Sequence, residues 1–391
     1  MSFDNLTSFF KHLTDEIGVP SVDCTVHQNG EEIYRYNGGF AYDKKNKYYN
    51  LYSVSKVITC TAALQLLEQG KYLLTEPLYE YMPKFKEMYV KKDFALSDEG
   101  RLTSEGKKIV EGEKTFEIVP AKNPILIKDL FNMSAGFDYN YGCEEVQKLI
   151  KETDGKFPTR MIATALSQRP LSFEPGTHWQ YSLCHDVLGA FIEVVSGMRF
   201  SDYLKKNIFE PLGMTDTMLH VNDEILEKTF PQFMYNSETK KAKEIPKDNS
   251  FRLGTEYDSG GAGIHSTVDD YIKFADALAN GGKGKNGEHI LSQKTIDLMR
   301  TNHLSEKQLP DLNWSQLKGY GYGLGVRTMI DRAKGGALSP IGEFGWGGAA
   351  GAYVMIDPEN KLSVFYGQHM LNNLEPYIHP RIRNLVYSSL F

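Results

Sequence analysis

The chain has 391 residues, of which 41% are hydrophobic and 24% are charged, a balance typical of a soluble globular protein. This length exceeds one ordinary hydrophobic core, so we expect one large two-lobed unit or two domains. The 44 basic and 50 acidic residues give a net charge of −6, which argues against nucleic acid or an anionic membrane as the main binding partner.

The N-terminal segment indicates no targeting signal. Residues 1–13 have an amphipathic helical pattern and lack the basic start and apolar run of a signal peptide. No stretch approaches ~20 uninterrupted apolar residues. If Met1 is the natural start, we therefore expect a cytoplasmic protein that does not act on a membrane. The sequence leaves the oligomeric state open.

Cysteine and histidine spacing gives no support for a metal site. The four cysteines are widely spaced in unlike contexts and predict reduced structural thiols rather than a disulfide framework. The ten histidines contain no His-x-x-x-His pair, so a zinc mechanism has no support and we expect no metal and no cofactor.

The first elements predicted along the chain are a helix and a hairpin. Residues 5–17 have helical periodicity. Segments 21–28 and 31–37 alternate apolar and polar residues on either side of Asn29-Gly30, which is a hairpin signal.

Residues 50–69 are expected to form the central helix of the fold. After Lys56 this stretch has no basic residue, its first acidic residue is Glu68, and apolar side chains cover more than one helical face. A helix with such a pattern is a buried helix. Gly70 is expected to end it, and Ser53 stands at or near its first turn.

Ser53 and Lys56 are the first candidate catalytic pair. Residues three apart share a helical face, and a helix N-terminus disfavours an ammonium and favours an oxyanion, as an activated serine beside a neutral lysine requires. Ser-x-x-Lys also occurs four more times in polar or amphipathic surroundings, and only Lys56 would be carried into a core. We predict that Ser53 is a nucleophile and Lys56 its proton acceptor. The alternative is that Ser53 is a helix cap and Lys56 a snorkelling side chain.

Residues 76–254 are expected to form a mostly helical lobe. Within it, residues 84–122 are charge-dense with little periodicity and indicate a polar excursion, a candidate lid over a pocket. Helical patterns follow at 125–133, 144–168, 186–196 and 200–208, and the polar stretch 222–250 predicts a surface hairpin and loop.

The last third is rich in strand patterns. Gly260-Gly261-Ala262-Gly263 predicts a tight backbone passage, with Ser266 or Thr267 capping a helix over 268–280. Strands are expected at 320–327, 344–346, 352–356 and 362–368, and a closing helix at 380–390. Strands at both ends with helices between predict an α+β fold, an antiparallel sheet flanked by helices. We expect a single two-lobed catalytic module over residues 1–391, with one lobe from residues 1–75 and 255–391 and the helical lobe inserted between them.

Three separated segments resemble the serine β-lactamase and penicillin-binding-protein superfamily. Ser53-Val54-Ser55-Lys56 matches the Ser-x-x-Lys motif that opens a central helix. Tyr181-Ser182-Leu183 resembles the second motif, whose tyrosine lies between the lobes. Phe344-Gly345-Trp346-Gly347-Gly348-Ala349 stands where the third motif, usually Lys-Thr-Gly, borders the site on a strand. Lesser matches at 130–137, 211–217, 260–267 and 320–325 are typical of the class C β-lactamase branch.

Two positions depart from the motifs of that superfamily. Leu183 occupies the place of an asparagine in the second motif and has no polar side chain. Trp346 replaces the lysine of the third motif and so removes a cation that would bind a substrate carboxylate. The change is similar to the esterases of this superfamily (the family VIII carboxylesterase type), which have Trp-Gly-Gly there, and it favours neutral or apolar acyl substrates over β-lactams.

The resemblance implies a role for each site residue. Ser53 would attack the substrate carbonyl, and Tyr181 and Lys56 would relay its proton, with either of them as the base. The amides of Ser53 and Ala349 would hold the oxyanion. Trp346 would form a wall of the acyl or alcohol pocket, with core packing as the alternative, and Gly347 and Gly348 would let the substrate approach the strand. His185 and Asp186 suggest a Ser-His-Asp triad, which we discount because the chain has no Gly-x-Ser-x-Gly elbow.

These roles predict a serine hydrolase that forms a covalent acyl-enzyme from a small-molecule ester, amide or lactam. The favoured activity is that of a carboxylesterase on small acyl esters with at most weak β-lactamase activity. The alternatives are a class C-type β-lactamase or D-amino-acid peptidase, an acyltransferase, and a non-catalytic ligand-binding sensor on the same scaffold.

Overall fold

Both ends of the chain contribute to one seven-stranded sheet in the computed structural model, which describes residues 2–39, 47–92 and 117–390. In chain order the strands are Val22–Gln28 (β1), Glu31–Gly38 (β2), Tyr49–Asn50 (β3), Tyr89–Lys91 (β4), Ile118–Pro120 (β5), Gln232–Asn236 (β6), Lys241–Ile245 (β7), His265–Ser266 (β8), Tyr320–Tyr322 (β9), Arg327–Met329 (β10), Phe344–Gly347 (β11), Tyr353–Asp357 (β12), Leu362–Gly367 (β13) and Met370–Leu371 (β14). The large sheet has the order β2-β1-β13-β12-β11-β10-β9, and every neighbouring pair is antiparallel. The predicted α+β fold, with its antiparallel sheet built from both chain ends, is confirmed.

Helices cover both faces of this sheet. In chain order they are Asp4–His12 (α1), Ser55–Glu68 (α2), Ile127–Phe131 (α3), Glu144–Glu152 (α4), Thr159–Leu166 (α5), Cys184–Ser196 (α6), Phe200–Leu204 (α7), Asp223–Glu227 (α8), Val268–Ala279 (α9), Gln293–Met299 (α10), Arg332–Gly335 (α11) and Glu375–Ser389 (α12). Side chains alternate between the faces of a strand, so Val364 of β13 packs with α1 and α12, while Phe365 stacks on Tyr271 of α9 at 4.5 Å.

The helix α2 is buried on all sides, as its sequence predicts. Every side chain from Ser55 to Leu66 is buried. Helix α6 packs against α2, and α3, α5 and α7 pack around α6. The inserted, mostly helical part of the chain therefore encloses α2 on the side away from the sheet.

Two of the differences between the predicted and the observed element bounds have a local cause. The strand predicted at 320–327 is a hairpin of β9 and β10, because Gly325 adopts a φ of +84° and Gly323 donates to the Val326 carbonyl across the turn. The closing helix starts at Glu375 rather than at residue 380, because Pro376 fits the first turn of a helix, where its missing N–H leaves no hydrogen bond unmade.

The remaining segments follow the prediction where the structure describes them. The stretch 222–250 contains the hairpin β6–β7, and β6 also pairs in parallel with β14. Strands β4 and β5 pair within the predicted excursion 84–122, of which residues 93–116 lie outside the described residues. All four cysteines are buried and carry free thiols, and none of the described helices is long and apolar enough to span a bilayer.

The glycine-rich segment 260–263 is the tight passage that the sequence predicts. A Cβ atom at Gly260 would lie 2.2 Å from the His185 carbonyl oxygen of α6, far inside van der Waals contact. This close approach brings the segment against both α2 and α6, and the hydroxyl of Thr59 donates to the Gly260 carbonyl at 2.7 Å.

We expect Gly260→Ala to destabilise the fold by about 2 kcal/mol, because the new methyl group must push two backbones apart. Urea unfolding measures the effect. Gly189→Ala is the matched control, since its Cβ would face Gly260 from α6 at an ordinary distance of 3.6 Å. Alanine there should be neutral or stabilise the helix by about 0.5–1 kcal/mol. Equal stabilities for the two variants would contradict the packing described here.

Candidate active site

Ser53 lies on a short turn immediately before α2. The turn spans Tyr52–Val54, and Tyr52 adopts the left-handed φ of +48°, which a non-glycine residue adopts only when its surroundings enforce it. The buried Tyr52 is held by its hydroxyl, which donates to Gln232 at 2.7 Å. This backbone leaves the Ser53 side chain facing Lys56, one helical turn along the chain.

The Lys56 amine is fully buried and has three hydrogen-bond acceptors. It donates to Ser53 Oγ at 3.1 Å, to the Gly261 carbonyl at 2.7 Å and to the Tyr139 hydroxyl at 3.3 Å. Burial lowers the pKa of Lys56 to about 7. The predicted placement of this lysine inside the core, against Ser53, is confirmed, and near neutral pH a large share of the amine is free to accept a proton.

Tyr181 lies next to Lys56 and Ser53. The Lys56 amine is 4.7 Å from the centre of the Tyr181 ring, and the Ser53 side chain is near enough to lower the pKa of the Tyr181 phenol. Burial raises the pKa of Tyr181 above its ordinary value, although the Ser53 and Trp346 side chains oppose the shift. These opposite directions favour Lys56 as the base and Tyr181 as a neutral phenol, a choice that the sequence left open.

Trp346 caps the Tyr181 hydroxyl. Its indole N–H donates to that hydroxyl at 3.2 Å, and the two rings stack at 5.6 Å. The Tyr181 oxygen accepts from the indole, so its own hydrogen is free to point elsewhere. Trp346 is only 3% exposed, and Trp314 and Tyr322 contact its ring. The side chain predicted as a pocket wall is therefore chiefly part of an aromatic cluster that positions Tyr181.

Tyr139 and Gly261 were missed as site residues by sequence reasoning. Tyr139 is fully stacked on Tyr181 at 5.5 Å, with its hydroxyl against Lys56. Leu183, which stands in the asparagine position of the second motif, has an apolar side chain and cannot hydrogen-bond to Lys56. The Tyr139 hydroxyl makes a polar contact with this lysine instead. The signals available were weak: the chain has 23 tyrosines, and Tyr139 follows the 130–137 match by two residues.

The two amides predicted to hold an oxyanion are free of protein partners. Within the described residues, neither the Ser53 nor the Ala349 N–H forms a hydrogen bond. The backbone at Gly348 packs tightly against the turn that precedes α2, because a Cβ at Gly348 would lie 2.4 Å from the Leu51 carbonyl oxygen. Close packing therefore explains the glycine at 348. A Cβ at Gly347 would likewise contact Glu375 and His379 of α12 rather than open space.

His185 and Asp186 form no triad with Ser53. The His185 Nε2 donates to the Phe131 carbonyl at 3.0 Å, and burial lowers the pKa of this imidazole to about 3. The Asp186 carboxylate instead accepts from Tyr257 and Ser259. Across the described part of the chain, no three His, Cys, Asp or Glu side chains are placed to hold a metal ion.

Comparison with known proteins identifies the family of this chain. The family model described as Beta-lactamase matches residues 6–378. Esterase EstB of Burkholderia gladioli is 26% identical over 363 residues, which cover 87% of this chain and 83% of EstB.

Two solved structures have the same fold. EstCE1, described as a hydrolase with promiscuous acyltransferase activity, matches with a TM-score of 0.76 and 23% identity, covering 98% of this chain and 99% of EstCE1. Simvastatin synthase (LovD) from Aspergillus terreus matches with a TM-score of 0.77 and 20% identity, covering 100% and 99% of the two chains. This chain therefore belongs to the β-lactamase family and is a serine hydrolase of that family.

Proposed function

We propose that this protein is a carboxylesterase that hydrolyses small neutral acyl esters through an acyl-enzyme on Ser53, with at most weak activity on β-lactams. The observation that carries the proposal is Trp346. Its indole donates to Tyr181 at the position where the resemblance to β-lactamases expects a lysine for the substrate carboxylate. A substrate with a carboxylate at that point would meet an apolar ring, which cannot replace the water it gives up. The esterase among the relatives supports the same choice.

The acylation step uses the three polar side chains in turn. Lys56, as a neutral amine, takes the Ser53 hydroxyl proton across the 3.1 Å that separates Nζ from Oγ, while Oγ bonds to the carbonyl carbon. The carbonyl π electrons move to the oxygen, which the Ser53 and Ala349 amides hold. The tetrahedral intermediate then collapses, the carbonyl re-forms and the alcohol oxygen of the ester leaves. This leaving oxygen takes a proton from Tyr181, and Tyr181 regains a proton from Lys56.

Deacylation repeats these steps with water as the nucleophile. Water gives its proton to Lys56, its oxygen bonds to the acyl carbon, and Ser53 leaves and recovers the proton. Acyl transfer to an alcohol shares every step up to the acyl-enzyme. It is the second candidate, because acyltransferase activity is named for EstCE1 and for a similar protein, acyltransferase calJ of Penicillium decumbens. The ratio of free acid to new ester formed in the presence of 1-butanol distinguishes the two.

Ser53→Ala should lower kcat for p-nitrophenyl butyrate by about a thousandfold or more, because no other group in the site can form the acyl bond. Ser55→Ala is the control: the buried Ser55 Oγ accepts the Ile264 N–H at 3.1 Å and forms no hydrogen bond with the Lys56 amine, so this variant should lower kcat by about tenfold or less. A fluorophosphonate probe, read by mass spectrometry, should label Ser53 in the wild type and in Ser55→Ala. Full turnover by Ser53→Ala would remove the mechanism.

The pH dependence of kcat/KM for the same ester should report the protonation of Lys56. The pKa of about 7 means that the amine is mostly charged, and unable to accept a proton, below that pH. We expect kcat/KM to rise about tenfold per pH unit below the midpoint and to level off above it. A rate that keeps rising beyond about pH 9 would instead indicate a Tyr181 phenolate as the base.

Esters should be better substrates than β-lactams. The loss of one charge-assisted contact to a substrate carboxylate costs roughly tenfold to a hundredfold in binding. We therefore expect kcat/KM for p-nitrophenyl butyrate to exceed that for nitrocefin by at least about tenfold. Both rates are corrected with Ser53→Ala protein. Fast nitrocefin opening with negligible ester cleavage would overturn the proposed substrate class.

A further inference from the structure

Asp186 is a buried carboxylate that the mechanism above does not use. It lies in the first turn of α6 with no exposed surface. Within the described residues no Lys, Arg or His side chain forms an ion pair with it. Its Oδ1 instead accepts from the Tyr257 hydroxyl at 2.5 Å, the Ser259 hydroxyl at 2.7 Å and the Gly261 N–H at 3.3 Å. All three donors meet on this one oxygen, and within the described residues the buried Oδ2 has no hydrogen-bond partner.

These three donors belong to one short segment, 257–261, which also contacts the catalytic lysine. The Gly261 carbonyl accepts from Lys56 at 2.7 Å, the shortest of the contacts made by the amine. Gly261 therefore stands between the two groups, with its N–H toward Asp186 and its carbonyl toward Lys56. The fit is close, because a Cβ at Gly261 would lie 2.5 Å from Asp186 Oδ2.

Asp186 is also the one charged group that faces Lys56 in the described residues. Cys60 of α2 and Cys184 of α6 have pKa values that burial raises, so both remain neutral thiols. Burial likewise keeps His185 neutral, and raises the pKa values of Tyr139 and Tyr181. The nearness of Asp186 raises the pKa of Lys56 and so opposes the larger effect of burial.

We propose that Asp186 is a positioning residue for catalysis. It holds the 257–261 segment so that the Gly261 carbonyl meets the Lys56 amine. Its negative charge also stabilises the ammonium that Lys56 becomes when it takes the Ser53 proton. This inference rests on the proposed function, since it assigns Lys56 the role of base. Its physical content is separate. A buried amine with no anion nearby has a low pKa and is a weak base. A fixed carboxylate on the other side of Gly261 raises that pKa and makes the amine a stronger base.

Asp186→Asn tests the charge while keeping the shape. The asparagine oxygen can still accept from Tyr257 and Ser259, so the segment should stay in place. We expect the midpoint of the kcat/KM profile to move about one unit to lower pH, and the plateau rate to fall about tenfold because the amine is a weaker base. Asp129→Asn is the matched control: it removes another buried carboxylate, 2% exposed and bonded to Ser134 and the Leu126 amide, and should leave the midpoint unchanged.

The midpoint separates this role from a structural one. A variant that only loosens the fold loses rate equally at every pH and keeps its midpoint, and that result for Asp186→Asn would overturn the inference. If Asp186→Asn does not fold, Gly261→Ala replaces it, because the added methyl forces the carboxylate and the peptide apart. A lower midpoint and a lower rate support the inference, and an unchanged profile contradicts it.

The pH dependence of fluorophosphonate labelling at Ser53 gives the same midpoint without an ester substrate. Wild-type protein that is neither labelled nor active on esters would refute the proposed function itself. Wild-type protein that is labelled and active, with a midpoint that Asp186→Asn leaves in place, would refute only the role of Asp186.

Discussion

The burial of the Lys56 amine is the constraint on which the rest of the site depends. Removing an ammonium from water costs several kcal/mol, so a buried lysine needs hydrogen-bond acceptors or must lose its proton. Here both happen. Three acceptors surround the amine, and burial lowers its pKa to about 7. The acceptors come from three separate parts of the chain, residues 53, 139 and 261, so the amine has all of its partners only when these three segments have packed together.

The aromatic cluster around Tyr181 holds the ring of this tyrosine in one orientation. The ring lies between Tyr139 and Trp346, stacked on each at 5.5 and 5.6 Å. The indole N–H then occupies one lone pair of the hydroxyl, which leaves its hydrogen for a partner such as Ser53. A lysine at position 346 would offer a cation to the substrate, whereas tryptophan offers its only donor to the protein. The same residue thus orients Tyr181, the proposed proton donor, and narrows the proposed range of substrates to uncharged esters.

The segment 257–261 connects the polar interior of the helical lobe to the lysine. Its Tyr257 and Ser259 hydroxyls donate to Asp186 Oδ1, Gly261 lies between the carboxylate and the amine, and its Gly260 carbonyl accepts from Thr59 on α2. These hydrogen bonds favour one arrangement of the backbone, because breaking any of them would leave a further buried polar group unpaired. Glycine at 260 and 261 is required because side chains there would overlap α6.

The sequence by itself determined the α+β fold, the antiparallel sheet from both ends, the central buried helix and the pairing of Ser53 with Lys56. These follow from local patterns: alternation along strands, an apolar stretch on every helical face, and a three-residue spacing that sets two side chains on one face. Element bounds were less certain where local signals compete, as at Gly325 and at the two prolines of α12.

Only the tertiary structure decided which distant residues complete the site. Tyr139 and Gly261 are far from Lys56 in the chain, and no local pattern distinguishes Tyr139 among the 23 tyrosines of the sequence. The choice between Lys56 and Tyr181 as base also needed the folded protein, because burial moves the pKa of an amine down and that of a phenol up. Burial is a property of how the lobes pack, and it therefore lies beyond what residue order alone specifies.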